Sequence, residues 1–212
     1  NVFVGRAAGF ACTNPNYCTV VGAGALTANV SGQYITAIGY KALEDNTADY
    51  NTAVGYEALK ENTTGTRNTA VGRGALDGVT NTNNNTAVGY DALTGASNAG
   101  AQNTAVGTYT GQSITTGSNN TLLGYYAGIN ITTGDSNVCL GRDTGRTMTT
   151  GATNTLVGRD AGYDITTGNL NCCFGSSAGG NIIDGHSNSC YGDAAGWEVT
   201  TGGNNLLLGK DA

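Results

Sequence analysis

Short apolar groups alternate with polar, glycine-bearing groups along the chain, and the alternation recurs about every 17 residues. The motif Asn-Thr-(Ala/Leu)-(Val/Leu)-Gly carries this pattern. Its glycine, called position 0 of each unit below, stands at residues 5, 22, 39, 55, 72, 89, 107, 124, 141, 158, 175, 192 and 209. Self-similarity at a fixed period predicts a repeat architecture with one structural unit per copy.

Each unit predicts β-structure. Position −3 is mostly Thr and position −1 is always apolar or aromatic, while no 3.6-residue periodicity indicates a helix. We therefore expect an all-β fold: a parallel β-solenoid (β-roll) of about 13 coils with two short strands per 17-residue coil. Coils stacked at about 4.8 Å would form a rod on the order of 60 Å long.

Stacking gives each position a physical role. Position −4 is Asn in 11 of 13 copies, the exceptions being Cys18 and Ile35, and predicts a ladder of amides bonded to one another and to turn backbone. The glycine fits a positive φ or a close backbone approach. Alanine at +3, replaced only by Thr110 and Thr144, predicts a tight space. The predicted structural asparagine ladder comprises Asn51, Asn68, Asn85, Asn103, Asn120, Asn137, Asn154, Asn171, Asn188 and Asn205.

Two kinds of coil divide the single repeat domain, 1–212. In 18–101 position +4 is Leu and position −2 is small or medium. In 102–212 position +4 is Gly, while −2 is usually large or sulfur-bearing and +7 is apolar in most copies. This exchange of side-chain volume predicts that the residues at −2, +4 and +7 fill one shared space. Ala105, paired with Gly111, breaks the rule.

The strand at −4 to −1 is apolar at two neighbouring positions, −2 and −1, which point to opposite faces. Both faces should therefore be buried. A thin coil has only one inside, so we expect homo-oligomerisation; a third sheet within the coil is the alternative.

Charge and composition exclude several partners. The net charge is −6 and there is no basic stripe, which argues against nucleic acid. No apolar run approaches the ~20 residues of a membrane span. The chain opens in mid-motif at Asn1, which predicts a fragment of a longer protein.

Candidate chemistry is sparse, and no catalytic residue, metal site or cofactor is predicted. The single histidine, His186, lies in a variable turn and is interpreted as solvated. Acidic residues recur at +2 and, with Arg142, Arg159 and Lys210 at +1, predict an exposed charged ridge. Tyrosines recurring at +1 could stack on sugars, although a solvated, strand-favouring surface is the simpler interpretation. A solenoid enzyme such as a polysaccharide lyase is disfavoured because no convergent acid/base set is present.

Six cysteines leave two alternatives open. Cys173 and Cys190 occupy −2 in adjacent coils, with Cα atoms expected roughly 5 Å apart, and Cys12 and Cys18 flank one turn. These pairs are candidate disulfides, which would imply an oxidising, extracellular setting. The alternative is that they are buried, apolar free thiols.

The motifs N-T-A-V-G-Y-x-A-L and N-T-L-V-G-R-D-A-G together resemble the head repeats of trimeric autotransporter adhesins, and similar arrays occur in phage tail-fibre-type proteins. The resemblance covers essentially the whole chain. It implies a left-handed β-roll, a trimer and an adhesive function. The 17-residue unit is longer than the adhesin head repeat, and the chain contains no anchor, stalk or coiled-coil heptad.

Together these observations predict a non-enzymatic surface rod: an adhesin head, a fibre shaft or a filament subunit. It would lie outside the cell, on a cell or virion surface, and bind a receptor, a glycan or neighbouring copies as a trimer or an end-to-end filament. The alternative is an ice-binding solenoid that uses outward threonine rows at −3 or at +8 and +9.

Overall fold

A computed structural model describes residues 1–95 and 100–212. The chain winds into a solenoid in which each coil contributes one three-residue strand. The thirteen strands are β1 (Val2–Val4), β2 (Thr19–Val21), β3 (Thr36–Ile38), β4 (Thr52–Val54), β5 (Thr69–Val71), β6 (Thr86–Val88), β7 (Thr104–Val106), β8 (Thr121–Leu123), β9 (Val138–Leu140), β10 (Thr155–Val157), β11 (Cys172–Phe174), β12 (Ser189–Tyr191) and β13 (Leu206–Leu208).

The strands form one parallel sheet in chain order, each hydrogen-bonded to the strand of the next coil. The register joins like positions: Ala53 pairs with Ala70, and Thr52 with Thr69. Equivalent side chains therefore stack in straight columns along the rod. The predicted fold class, an all-β parallel solenoid with a repeat of about 17 residues, is confirmed.

The predicted second strand of each coil is wrong: the described part of each coil has one strand. The rest of the coil still stacks by backbone hydrogen bonds, as when the N–H of Leu59 donates to the carbonyl of Ala75 at 2.9 Å. It is not extended, because positions +2, +4 and −5 take positive φ. In one coil these are Glu57 at +54°, Leu59 at +51° and Arg67 at +58°. Left-handed residues at such close spacing turn the chain instead of extending it.

The backbone at position +4 is left-handed in both kinds of coil, so side-chain volume is not the only property that distinguishes leucine from glycine there. Glycine takes this conformation without strain, whereas a leucine there costs roughly 1–2 kcal/mol. In the glycine coils the vacated space is filled by neighbours. A Cβ added to Gly128 would lie 2.7 Å from Cδ1 of Ile131 and 3.1 Å from Cδ2 of Leu122. Positions −2, +4 and +7 therefore share one space.

Ala105 and Gly111 stand at the junction of the two types. A Cβ on Gly111 would lie 2.8 Å from Cδ1 of Leu122 and 3.0 Å from Cδ2 of Leu93. These leucines reach in from the following and the preceding coil, and Ile114 of the same coil lies 3.2 Å from that Cβ position, so all three side chains fill the space beside Ala105 and Gly111. Of the predicted leucine-type segment 18–101, residues 96–99 lie outside the described residues.

The glycine at position 0 satisfies both predicted reasons at once. Its φ lies between +111° and +147° throughout. A Cβ on Gly5 would also lie 2.6 Å from the carbonyl oxygen of Gly22 in the next coil. Any side chain there would force adjacent coils apart.

Candidate functional site: the outward face of the sheet

The outward face of the sheet carries the row of side chains at position −1. Position −2 is buried in strands β2 to β12, and the residues at −1 on the opposite face are half-buried or exposed. Ile38 is 38% exposed, Val71 37% and Leu123 49%. The alternative of a third sheet within the coil is wrong, since the described strands form a single sheet that leaves this face open. The row at −1 comprises Val4, Val21, Ile38, Val54, Val71, Val88, Val106, Leu123, Leu140, Val157, Phe174, Tyr191 and Leu208.

Threonine at −3 forms a second outward row beside this apolar row in most coils. Thr52, Thr69 and Thr86 succeed one another in register on adjacent strands. The outward face therefore combines a row that is threonine in most coils with a row at −1 that is branched aliphatic except at Phe174 and Tyr191. Because the register is straight, both rows follow the rod axis.

The asparagine column at −4 forms a buried, hydrogen-bonded ladder. Oδ1 of Asn120 accepts the backbone N–H of Asn137 at 2.9 Å and its side-chain amide at 3.1 Å. Nδ2 of Asn120 donates to the carbonyl of Gly134 at 2.9 Å, which closes its own coil. The same backbone-to-Oδ1 contact joins each successive pair from Asn51 to Asn205. The column thus has a structural role and contributes no side chain to the surface until Asn205, which is partly exposed.

A second asparagine column lies at +7 in early leucine coils, and sequence reasoning missed it. Asn29, Asn46 and Asn62 are buried. Nδ2 of Asn62 donates to Oδ1 of Asn46 at 2.6 Å and to the carbonyl of Gly65 at 2.9 Å. The signal was present, because asparagine recurs in three consecutive coils at the position that is apolar in the glycine coils.

Ion pairs join positions +1 and +2 as predicted, but the predicted ridge is not exposed throughout, because Asp143 is buried. Arg142 pairs with Asp143 at 2.8 Å, Arg159 with Asp160 at 3.3 Å, and Lys210 with Asp211 at 4.0 Å. A further pair, Arg73 with Asp91 at 2.9 Å, joins adjacent coils. Asp143 also contacts Arg146, so one carboxylate lies between two guanidinium groups.

The tyrosines stack on each other, and this stacking limits the ring surface that a sugar could contact. Tyr17, Tyr34 and Tyr50 form a column with ring centroids 4.8 and 4.9 Å apart and planes within 9°. At +1, Tyr40 and Tyr56 stack at 5.2 Å. A ring in such a column covers its neighbour's face, so most of these rings offer edges and hydroxyl groups rather than open faces.

Threonines at +8 and the single histidine make hydrogen bonds to the backbone of neighbouring coils. The hydroxyl of Thr132 at +8 donates to the carbonyl of Thr149 in the next coil at 3.0 Å, and Thr149 makes the same contact with Thr166. The threonines at +9, such as Thr133, are exposed. His186 is exposed, and its Nδ1 accepts the backbone N–H of Asn169 at 3.0 Å.

All six cysteines are free thiols, so the disulfide alternative is not the one that the structure shows. Cys173 and Cys190 are register partners on β11 and β12. In-register parallel strands hold Cβ atoms about 4.8 Å apart, whereas a disulfide needs about 3.8 Å, so a bridge would distort the ladder. The hydrogen bond between these two thiols, together with burial, raises the pKa of Cys173.

Cys12 and Cys18 are also unbridged and have other partners. Sγ of Cys18 is directed at the carbonyl of Asn16 at 3.4 Å, and Nδ2 of Asn29 at Sγ of Cys12 at 3.7 Å. Burial raises the pKa of both thiols. Cys18 is buried, as the alternative of buried, apolar thiols predicts, whereas Cys12 is half-buried.

Comparisons with known proteins supply no relative: no protein-family model, curated protein or solved structure matches the chain. Within 1–95 and 100–212, no group of three or more His, Cys, Asp or Glu side chains could hold a metal ion. No helix in the same residues is long and apolar enough to cross a membrane.

Proposed function

We propose that this chain is a non-enzymatic structural rod that assembles with further copies of itself at a cell or virion surface, as an adhesin head, a fibre shaft or a filament subunit. The observation that supports the proposal is the continuous apolar row at −1, which the chain's own residues leave uncovered along the sheet. Soluble monomers rarely expose contiguous apolar patches larger than a few hundred Å².

The size of the face is compatible with a specific interface. Thirteen strands span about 58 Å at ~4.8 Å per spacing, and a face two outward residues wide measures about 10 Å across. One copy would then bury on the order of 600 Å², or about 1,200 Å² for a pair, at the lower end of stable interfaces. The resemblance to adhesin heads suggests three copies around a common axis.

Lateral assembly is tested by placing charge on the apolar row. The triple variant Ile38→Arg, Val71→Arg, Leu123→Arg puts cations in non-adjacent coils on the outward face, where they would be desolvated on assembly. We expect wild-type protein to have an oligomeric mass in light scattering and the triple variant to have the mass of one chain. Circular dichroism reports whether the variant retains its β-structure.

The matched control is Thr116→Arg, Thr150→Arg, Thr201→Arg, which adds the same charge at exposed turn positions. This control should keep the wild-type mass. A wild-type monomer at high concentration would refute lateral assembly. End-to-end pairing through the edge strands β1 and β13 predicts instead long fibres in electron micrographs that the outward-face variant leaves unchanged.

A second candidate, ice binding, is supported by the straight threonine row at −3 beside the aliphatic row. The row at +8 suits this function less well, since its hydroxyl groups bond to the next coil. Thermal hysteresis that Thr69→Arg abolishes and Thr133→Arg leaves intact would support this candidate. Absence of hysteresis in the wild-type protein would refute it.

A further inference from the structure

Position +5 of three consecutive coils forms an interrupted aromatic column. Tyr163 and Trp197 occupy it in the outer two coils, and Gly180 occupies it in the coil between them. A Cβ on Gly180 would lie 2.7 Å from Cζ3 of Trp197, so the indole ring lies directly over the glycine backbone. Unlike the stacked tyrosines, Trp197 therefore has no ring of the adjacent preceding coil against its face.

The absence of a side chain at Gly180 lets the indole lie over the backbone, and a cavity of about 330 Å³ lined by both aromatic residues opens beside it. Trp197 is 43% exposed. The volume is at the small end of ligand sites, which suits a compact ligand. The cavity is lined by Tyr163, Gly180, Trp197, Asp160, Asp164, Ser177 and Asn181.

The polar groups of this cavity are acidic or neutral. Asp164 makes no ion pair within the described part of the chain, and Asp160 is paired with Arg159 at 3.3 Å. Among the described residues, no cationic side chain lines the cavity. The excess of carboxylates makes the potential at the cavity negative, which attracts cations and repels anions.

We propose that this cavity, called the aromatic slot, binds a small organic ammonium cation. Its alkyl groups would lie against Trp197 and Tyr163, where an ammonium group is attracted to the ring face within about 6 Å, and its charge would face Asp164. A neutral ligand of the same shape gains the apolar contact alone. The aromatic slot lies at +5 and +6, away from the outward sheet face, and binding there does not depend on self-assembly.

Trp197 is the only tryptophan in the chain and lines both the slot and a second cavity with Arg159 and Glu198, so its fluorescence reports ligand binding around its ring. The probes are choline and its neutral carbon isostere 3,3-dimethylbutan-1-ol, titrated into the full chain. We expect saturable quenching or shift by choline with a dissociation constant of roughly 1 mM, as suits an open site of this size, and at least roughly fivefold weaker binding of the isostere.

Two variants assign the binding to the slot. Asp164→Asn should weaken choline binding roughly fivefold, the effect of one partly exposed ion pair, whereas Asp184→Asn makes the same change of charge on another turn and should leave it unchanged. Trp197→Ala, followed by saturation-transfer NMR of the choline methyl groups, should abolish binding.

Three outcomes would overturn the proposal: no saturable response to choline, equal binding of the neutral isostere, or saturable binding of neutral sugars in place of choline. None of these would affect the mass measurements that test self-assembly, so the two proposals fail separately.

Discussion

Oδ1 of Asn137 accepts two hydrogen bonds from Asn154, one from its backbone N–H at 3.0 Å and one from its side-chain amide at 3.1 Å. Nδ2 of Asn137 in turn donates to the carbonyl of Gly151 at 2.8 Å. Both asparagines are fully buried. Asn137→Ala would leave two donors and a carbonyl without that partner and without water, so we expect it to lower the free energy of unfolding by about 3 kcal/mol or more. Urea denaturation followed by circular dichroism measures this.

Asn130→Ala is the matched control, because the Asn130 amide also donates to a carbonyl of the next coil, that of Arg146, but is exposed. Water replaces that bond, so the loss should be below about 1 kcal/mol. Equal losses in the two variants would show that the ladder contributes nothing beyond an ordinary surface hydrogen bond.

The exchange of volume between −2 and +4 predicts a coupling between Ala53 and Leu59. Leu59→Gly removes left-handed strain of roughly 1–2 kcal/mol but leaves a cavity that costs roughly 3–5 kcal/mol, so a net loss of about 1–4 kcal/mol is expected. Ala53→Leu alone overpacks the coil. Combined, they reproduce the arrangement of Leu122 beside Gly128, and the double variant should be more stable than the sum of the single losses by about 1 kcal/mol or more.

The control pair is Ala53→Leu with Leu93→Gly, two coils apart. Distant substitutions add within about 0.5 kcal/mol, so no such recovery is expected there. Simple additivity in the close pair would mean that positions −2 and +4 do not share space.

The solenoid and its inner columns could be predicted because each depends on the same residue type recurring at the same position of every coil. The glycine at position 0 and the asparagine at −4 need the same geometry in every coil, and the period alone brings them together. The sequence shows that the side-chain volumes at −2 and +4 vary in opposite directions. It does not show the backbone cause, which is that residues at +4, such as Leu43 at φ +54°, are left-handed.

What escaped prediction depends on backbone conformation and on side chains that break the repeat. The predicted second strand is absent from segments such as Ile114 to Gly117, where the chain bends although β-branched residues recur. The β-propensity of a residue describes how its side chain fits a pleated surface. It takes no account of left-handed residues on either side, which turn the chain. The aromatic slot depends on one exceptional residue, Gly180, which a search for repeated features passes over.

The cysteines give a direct chemical prediction. Alkylation after denaturation without reductant should modify all six thiols, since all six are free. In the folded protein Cys139 should react far more slowly than Cys172, because Cys139 is fully buried and its pKa is raised to about 12, so almost no thiolate is present at neutral pH. Peptide mass spectrometry distinguishes the sites. Fewer than six modified thiols after denaturation would indicate that some of the cysteines form a disulfide.

Asp77 is a half-buried carboxyl group whose environment disfavours its charged form. Burial raises its pKa from 3.8 to about 6; Lys60 and Arg73 oppose the shift, and Glu57 and Glu61 add to it. Its Oδ1 has no hydrogen-bond partner among the described residues. Because the folded-state pKa lies above the unfolded value, the protonated group stabilises the fold below about pH 4, and this contribution is lost as the pH rises through about 6.

Asp77→Asn should therefore be more stable than the wild-type protein at pH 7 and lose that advantage at pH 4. The full shift would correspond to about 3 kcal/mol, and because the side chain is partly exposed we expect about 1 kcal/mol. Thermal unfolding of both proteins at the two pH values measures the difference. Asp184→Asn removes the same charge from an exposed turn and is the control for the change in net charge. An Asp77→Asn effect that is equal at pH 4 and pH 7 would mean that the carboxyl group is not destabilised by burial, since a change in packing alone does not titrate.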